Sequence, residues 1–158
     1  MADCYYDNSG CLVCPEVDAK PAVPGYYVSR PVVGWSAGAN TVKQLDGDVH
    51  AVFSLPGGTA GAAIGFKTSR TRQVVPDLVL FGFYFQSVGG ADVVQVIESG
   101  VMKTSPVLRA GTDTFEVRRI IGNVEYLINK TLVYTSTLKS VGSIVLNACL
   151  YASGDEIN

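Results

Sequence analysis

Through residues 113–151 apolar side chains recur at mostly two-residue intervals, with Phe115, Val117, Ile121, Val124, Tyr126, Ile128, Leu132, Tyr134, Ile144, Leu146, Ala148 and Leu150 marking the repeat. That is the period of a strand with one buried face. Gly122-Asn123 and Asn129-Lys130 interrupt the alternation with residues that accept unusual backbone angles, so the stretch predicts a run of β-hairpins. From Trp35 onward the same reading predicts strands at 41–45, 49–55, 62–67, 78–86, 92–98, 100–104, 114–121, 123–128, 132–136 and 143–151, separated by Gly, Asp, Pro and Ser. No stretch sustains a 3.6-residue period. Many short strands with regular turn signals predict an all-β fold, an antiparallel sandwich or barrel. Residues 78–85, LVLFGFYF, are apolar on both faces, which suits a central strand or one lying under an interface. Residues 56–63, PGGTAGAA, form a small-residue loop, either a plain flexible turn or a place where a second backbone comes close.

Residues 1–33 read differently. They hold three of the four cysteines, four of the seven prolines and two tyrosine pairs, without a sustained period. Each proline fixes its own φ and pushes its predecessor toward extended backbone, so the Lys20-Pro21-Ala22-Val23-Pro24-Gly25 stretch is a stiff spacer. The expected organisation is an irregular N-terminal arm, 1–33, followed by one β-domain, 34–158.

Composition narrows the function classes. Charged residues are 16% of the 158 against 47% hydrophobic, too apolar for disorder and low in charge for a free monomer, which hints at covered surfaces. A net charge of -2 with scattered Lys and Arg offers no basic stripe for a phosphate backbone, so nucleic acid is not an expected partner. No segment approaches the roughly 20 apolar residues of a membrane span. The N-terminus lacks a basic cluster followed by an apolar core, so no secretory signal is read and the thiols are expected to begin in a reducing compartment.

Candidate chemistry is sparse. Cys4, Cys11 and Cys14, spaced C-x6-C-x2-C, leave three states open: free thiols, a disulfide within the arm, or three soft ligands for zinc or an iron-sulfur cluster that still lacks a fourth. Cys149 falls on the opposite strand face from Leu146-type positions and reads as a small apolar filler. His50, the single histidine, lies in a strand-like run and supports no nucleophile system. Asp46, Asp48, Asp77 and Asp113 occupy turn positions where Asp is expected anyway. Arg70, Arg72, Arg118 and Arg119 suit either ion pairs across a subunit contact or solvated strand faces. The expectation is no enzyme activity and no cofactor.

Thr114-Phe115-Glu116-Val117-Arg118-Arg119, then Gly122-Asn123-Val124-Glu125-Tyr126, Asn129-Lys130-Thr131-Leu132-Val133-Tyr134-Thr135-Ser136 and Ile144 to Tyr151 resemble the concanavalin A-like, or laminin G-like, jelly-roll superfamily. The resemblance implies a lectin-like jelly-roll β-sandwich. A cysteine-bearing arm, a Pro/Ala spacer and Gly34-Trp35-Ser36-Ala37-Gly38-Ala39 ahead of it are similar to small tail or tail-tip structural proteins of tailed bacteriophages. That likeness implies a non-enzymatic virion component, assembled in host cytoplasm, whose partners are other copies of itself and other tail proteins. The alternatives are a carbohydrate-binding module for host-surface glycan, with Trp35, Asn40, Asp46 and Asp48 as its candidate residues, and a capsid decoration protein. Against the glycan reading, Trp35 serves equally as an anchor of the sandwich core and the aspartates as turn formers.

Overall fold

A computed structural model describes residues 5–6, 12–13, 34–35, 37–41, 43–68, 75–152 and 155–157. Its strands are β1 (Tyr5–Tyr6), β2 (Leu12–Val13), β3 (Ala37–Asn40), β4 (Val49–Ser54), β5 (Gly61–Lys67), β6 (Phe81–Val88), β7 (Ala91–Glu98), β8 (Val101–Met102), β9 (Val107–Leu108), β10 (Thr114–Ile120), β11 (Asn123–Ile128), β12 (Thr131–Lys139) and β13 (Val145–Leu150). All named pairings are antiparallel. Four strands form one sheet in the order β12-β11-β10-β4, and seven form the other in the order β3-β13-β5-β6-β7-β8, with β9 also on β7. The fold is the lectin-like jelly-roll sandwich that the alternation and the resemblance predict. β1 pairs with β2 within the stretch read as an arm.

The alternation becomes the core. Phe53, Phe115, Val117, Val124 and Tyr126 of the smaller sheet face Ile64, Phe66, Phe81, Phe83, Phe85 and Val96 of the larger, all buried. Phe85 and Phe115 meet edge to face at 4.8 Å, and Phe83 meets Tyr126 at 5.6 Å, so rings from both sheets interdigitate. Burying each Phe side chain contributes about 2–3 kcal/mol, which makes this aromatic layer the main cohesion between the sheets.

β6 is indeed central, but it starts at Phe81 rather than Leu78. Pro76 sets the φ of a 3-10 turn, Pro76–Leu78, closed by the Val79 amide donating to Pro76 O. Val79 then folds back over its own strand, where a Cβ on Gly82 would lie 2.5 Å from its Cγ1. Val79 joins Ala63, Ile97 and Cys149 in a second buried cluster, flanked by Trp35 and Tyr84, apart from the intersheet core. The predicted 41–45 strand is replaced by β3 at 37–40, after which Leu45 makes a single bridge to Ile144.

Candidate functional site

One end of the sandwich is built around Arg119. Alternation turns Arg119 to the same side as Phe115 and Val117, and it is only 3% exposed. Its Nε donates to Gly47 O at 2.6 Å, Nη1 to Gly142 O at 2.8 Å and to Ser140 Oγ at 3.3 Å, and Nη2 to Leu45 O at 3.3 Å. One guanidinium thus collects two loops and leaves its charge spread over carbonyl dipoles. Arg118 points the other way and pairs within the chain, with Nε and Nη2 both 2.7 Å from Glu125 Oε2. His50 is exposed, 3.5 Å from Glu116. Arg70 and Arg72 lie outside the described residues.

Asp46 and Asp48, two of the four aspartates named from sequence, sit at this end. Asp46 Oδ1 accepts from Ser143 Oγ at 2.5 Å, and Asp48 Oδ1 accepts from the Ile121 amide at 2.6 Å. The β10–β11 turn is Ile121-Gly122 rather than Gly122-Asn123, with φ of 49° and 75°. Both values are left-handed, the pattern of a two-residue turn that favours Asn-Gly. A β-branched residue there is strained. Ile121 is nevertheless 83% exposed, beside the loop carrying Val141 at 79%, because the Ser140 amide bonds Gly122 O.

Trp35 and Asn40 lie on the larger sheet. The Trp35 ring packs against Tyr84 at 5.9 Å, tilted, and against Tyr151 at 5.4 Å, edge to face, so the three rings form a wedge rather than a flat plate. Asn40 Oδ1 accepts from Asn147 Nδ2 at 2.9 Å, and Asn147 Oδ1 accepts from the Cys149 thiol. Burial pushes that free thiol up to about 12. Burial also lowers the pKa of Lys67, which pairs in register with Val145. Trp35 contacts Tyr151, whereas Asp46 contacts Ser143, eight residues back along the β13 strand and its flanks, or roughly 26 Å. The structure therefore brings Asp46 and Asp48 together at one end and sets Trp35 apart from them. Cys4, Cys11 and Cys14 lie outside the described residues. Among those described, no three His, Cys, Asp or Glu side chains cluster as a metal would require.

The opposite end has its own buried guanidinium. Arg109 donates from Nη1 to Leu55 O and from Nη2 to Pro56 O, each at 3.0 Å, with Asp92 3.5 Å away and the Phe85 ring beneath at 5.6 Å. Asp92 in turn accepts from the Gly58 amide at 2.6 Å. Of the stretch read as a loop at 56–63, residues 61–63 belong to β5, and the remainder is a place of close backbone approach: a Cβ on Gly111 would stand 2.6 Å from Gly57 N. Asp155 accepts from the Ala60, Gly61 and Ala152 amides and fastens the C-terminal segment to this loop.

Between the sheets, at the side where β12 and the β8–β9 connection form their edges, opens a cleft of about 190 Å³. Phe83, Val94, Val96, Ile128 and Val133 wall it, and Thr104 stands at its rim. Glu98 is the next inward position of β7 after Val96, and Tyr126 is the inward position preceding Ile128 on β11. The Tyr126 hydroxyl donates to Glu98 Oε1 at 3.0 Å. Burial, reinforced by Glu98, raises the Tyr126 pKa far above its ordinary value. Glu98 is 1% exposed, and its Oε2 has no hydrogen-bond partner among the described residues. Lys103 Nζ, at 3.9 Å, is near enough to balance charge but too far to donate. Sequence spacing carried this signal, since Glu98 shares the parity of Val94 and Val96.

No family model matches the sequence, and no curated protein matches it. Solved structures do match in fold. The TRIM65 PSpry domain is 6% identical with a TM-score of 0.56, the match covering 85% of this chain and 80% of that one. The carbohydrate recognition domain of Emp47p is 8% identical with a TM-score of 0.54, covering 99% and 90%. The SPRY domain of human HERC1 is 13% identical with a TM-score of 0.52, covering 98% and 90%. At these identities what the chain shares with them is the lectin-like jelly-roll sandwich itself.

Proposed function

We propose that the chain is a non-enzymatic structural protein of a virion, a tail or tail-tip component present in several copies and assembled in host cytoplasm. In this reading residues 34–158 are the docking sandwich and residues 1–33 the arm that reaches a neighbouring copy. The observation that carries it is Ile121, held at φ 49° by Asp48 with its side chain outward next to Val141. A left-handed Ile costs about 1 kcal/mol or more where Asn or Gly would cost little, and an apolar tip kept at such a cost suits an interface. Asp46, Asp48 and Asp113 are engaged with hydroxyl and amide groups, and Asp92 with an amide and a guanidinium, which suits a scaffold better than acid-base catalysis.

Replacing Ile121 by Asn separates the two roles of the turn. The Ile121→Asn chain is expected to unfold at higher urea than the parent and to associate less, by sedimentation, with itself or with purified particles lacking it. Equal association would sink the docking role of the tip, and absence of the chain from the mass spectrum of purified virions would sink the virion assignment. Its position in a density map of the particle separates tail from capsid decoration.

A second reading, glycan binding for host-surface attachment, draws support from the half-buried Trp35, Tyr84 and Tyr151 lying outside the intersheet core. Glycan-array binding that is lost in Trp35→Ala, with folding intact, would favour it.

A further inference from the structure

We propose that the apolar tip of one copy, Ile121 with Val141 beside it, seats in the cleft between β7 and β12 of the next copy. This rests on the reading of Ile121 as a docking tip and names what the tip docks into. The cleft lies in a patch that stays apolar out to the surface. Val107 and Val133 stand half-exposed in its lining, and Leu108 and Leu132 adjoin them on β9 and β12, Leu108 being 73% exposed. Apolar surface gathered around a concavity marks an interaction site, where single exposed side chains do not.

Size, charge and distance choose the occupant. An apolar cavity of about 150 Å³ takes benzene, so about 190 Å³ receives the sec-butyl side chain of Ile and part of a Val. Ile120, Ile121, Gly122, Val141 and Gly142 at the tip carry no charge, nor does any residue lining the cleft, so closing the contact strips no ion of its water. The lining also holds the Ser105 hydroxyl and that of Thr104, whose oxygen accepts from the Val96 amide at 3.0 Å while its hydrogen is left to donate. These are donors for carbonyls of the incoming turn, a polar rim around an apolar anchor. A chain cannot fill its own cleft. Ile121 precedes β11 and Ile128, in the cleft wall, ends it, roughly 23 Å away along an extended strand. The contact is therefore heterologous: each copy gives a tip and receives one, which links copies into a ring or a string. Two side chains make an anchor well below a standard interface, so the contact is weak singly and gains strength by repetition.

The test is methyl NMR of the full chain, labelled at Ile and Val, at rising concentration. Signals of Ile121 and Val141 are expected to move together with those of Val94, Ile128 and Val133, on one binding curve. Ile121→Asn, which keeps the cleft, and Val107→Glu, which keeps the tip and puts a charge at the half-exposed mouth, should each abolish the movement. Val133→Trp, a second block at the mouth, should act as Val107→Glu does. Unlabelled Val107→Glu chain added to labelled Ile121→Asn chain should then restore the movement at Val94, Ile128 and Val133, since the mixture holds one intact tip and one intact cleft. Movement that persists in Ile121→Asn, or none in the parent at any concentration, overturns the inference. Loss in Ile121→Asn without restoration in the mixture also overturns it, while leaving the docking tip standing with a different seat. Failure of the tip itself shows instead as unchanged association of Ile121→Asn with particles lacking the chain.

Discussion

Arg119 Nε reaches the carbonyl of Gly47 at 2.6 Å, joining positions 72 apart in sequence, and the same side chain holds Leu45 O and Gly142 O. Removing it takes the donor from two part-buried carbonyls, Gly47 O and Gly142 O, while Leu45 O keeps the Ile144 amide. Arg119→Met is expected to destabilise the domain by about 2–4 kcal/mol in urea unfolding. Arg119→Lys should recover less than half of that, because an ammonium lacks the planar fork that serves all the acceptors.

Gly111 and Gly57 offer a paired comparison. A Cβ at Gly111 falls 2.6 Å from backbone, whereas one at Gly57 meets nothing nearer than 3.7 Å. Gly111→Ala should therefore cost about 1–3 kcal/mol by forcing the two loops apart, while Gly57→Ala should change stability by less than about 0.5 kcal/mol. Thermal unfolding of the two variants side by side checks this. A Gly57 variant as damaged as the Gly111 variant would contradict the asymmetry.

The Cys149 thiol, fully buried and pushed up to about 12, is protonated at neutral pH. Since the thiolate is the nucleophile, the peptide containing Cys149 should remain unalkylated by iodoacetamide at pH 8 in the native protein and become fully alkylated in denaturant. Peptide mass mapping reads both states.

Asp113 is held below the ordinary carboxylate pKa, first by the Asn129 side-chain amide at 2.8 Å and then by the Ala110 amide at 2.7 Å. A carboxylate with a depressed folded pKa stabilises fully above its unfolded value, near 3.8, and that stabilisation is lost as pH falls through the folded pKa. Asn129→Ala should move the Asp113 titration, followed by NMR, upward toward 3.8 and shrink the stability difference between pH 5 and pH 2. An unmoved titration would show that the amide contact does not form in solution.

Much of this fold was legible because strand alternation and burial are the same signal. β11 matches its predicted bounds, 123–128, and the core positions Phe115, Val117, Val124 and Tyr126 follow directly from the period. β3 was not legible: Ala37-Gly38-Ala39-Asn40 has neither the alternation nor the β-branched side chains of a strand, and exists as one through its pairing with β13. The turn at 121–122 was misplaced by one residue because Ile is a poor turn former, so its strain has no local signature. Arg119 and Glu98 were readable only in part. Their parity with Phe115 and Val96 marks them as inward, but the acceptors of Arg119 and the neighbour of Glu98 come from strands and loops far along the chain.

The place of β13 between β3 and β5 bears on how the protein is made. Asn40 finds its partner Asn147 107 residues later, so the edge strand β3 cannot join β5 in the larger sheet until residue 150 has left the ribosome. Phe66 and Phe81 can be paired on adjacent strands well before then, with one flank of β5 open. A nascent chain in that condition carries an unpaired, apolar edge on β5 until β13 emerges to close it.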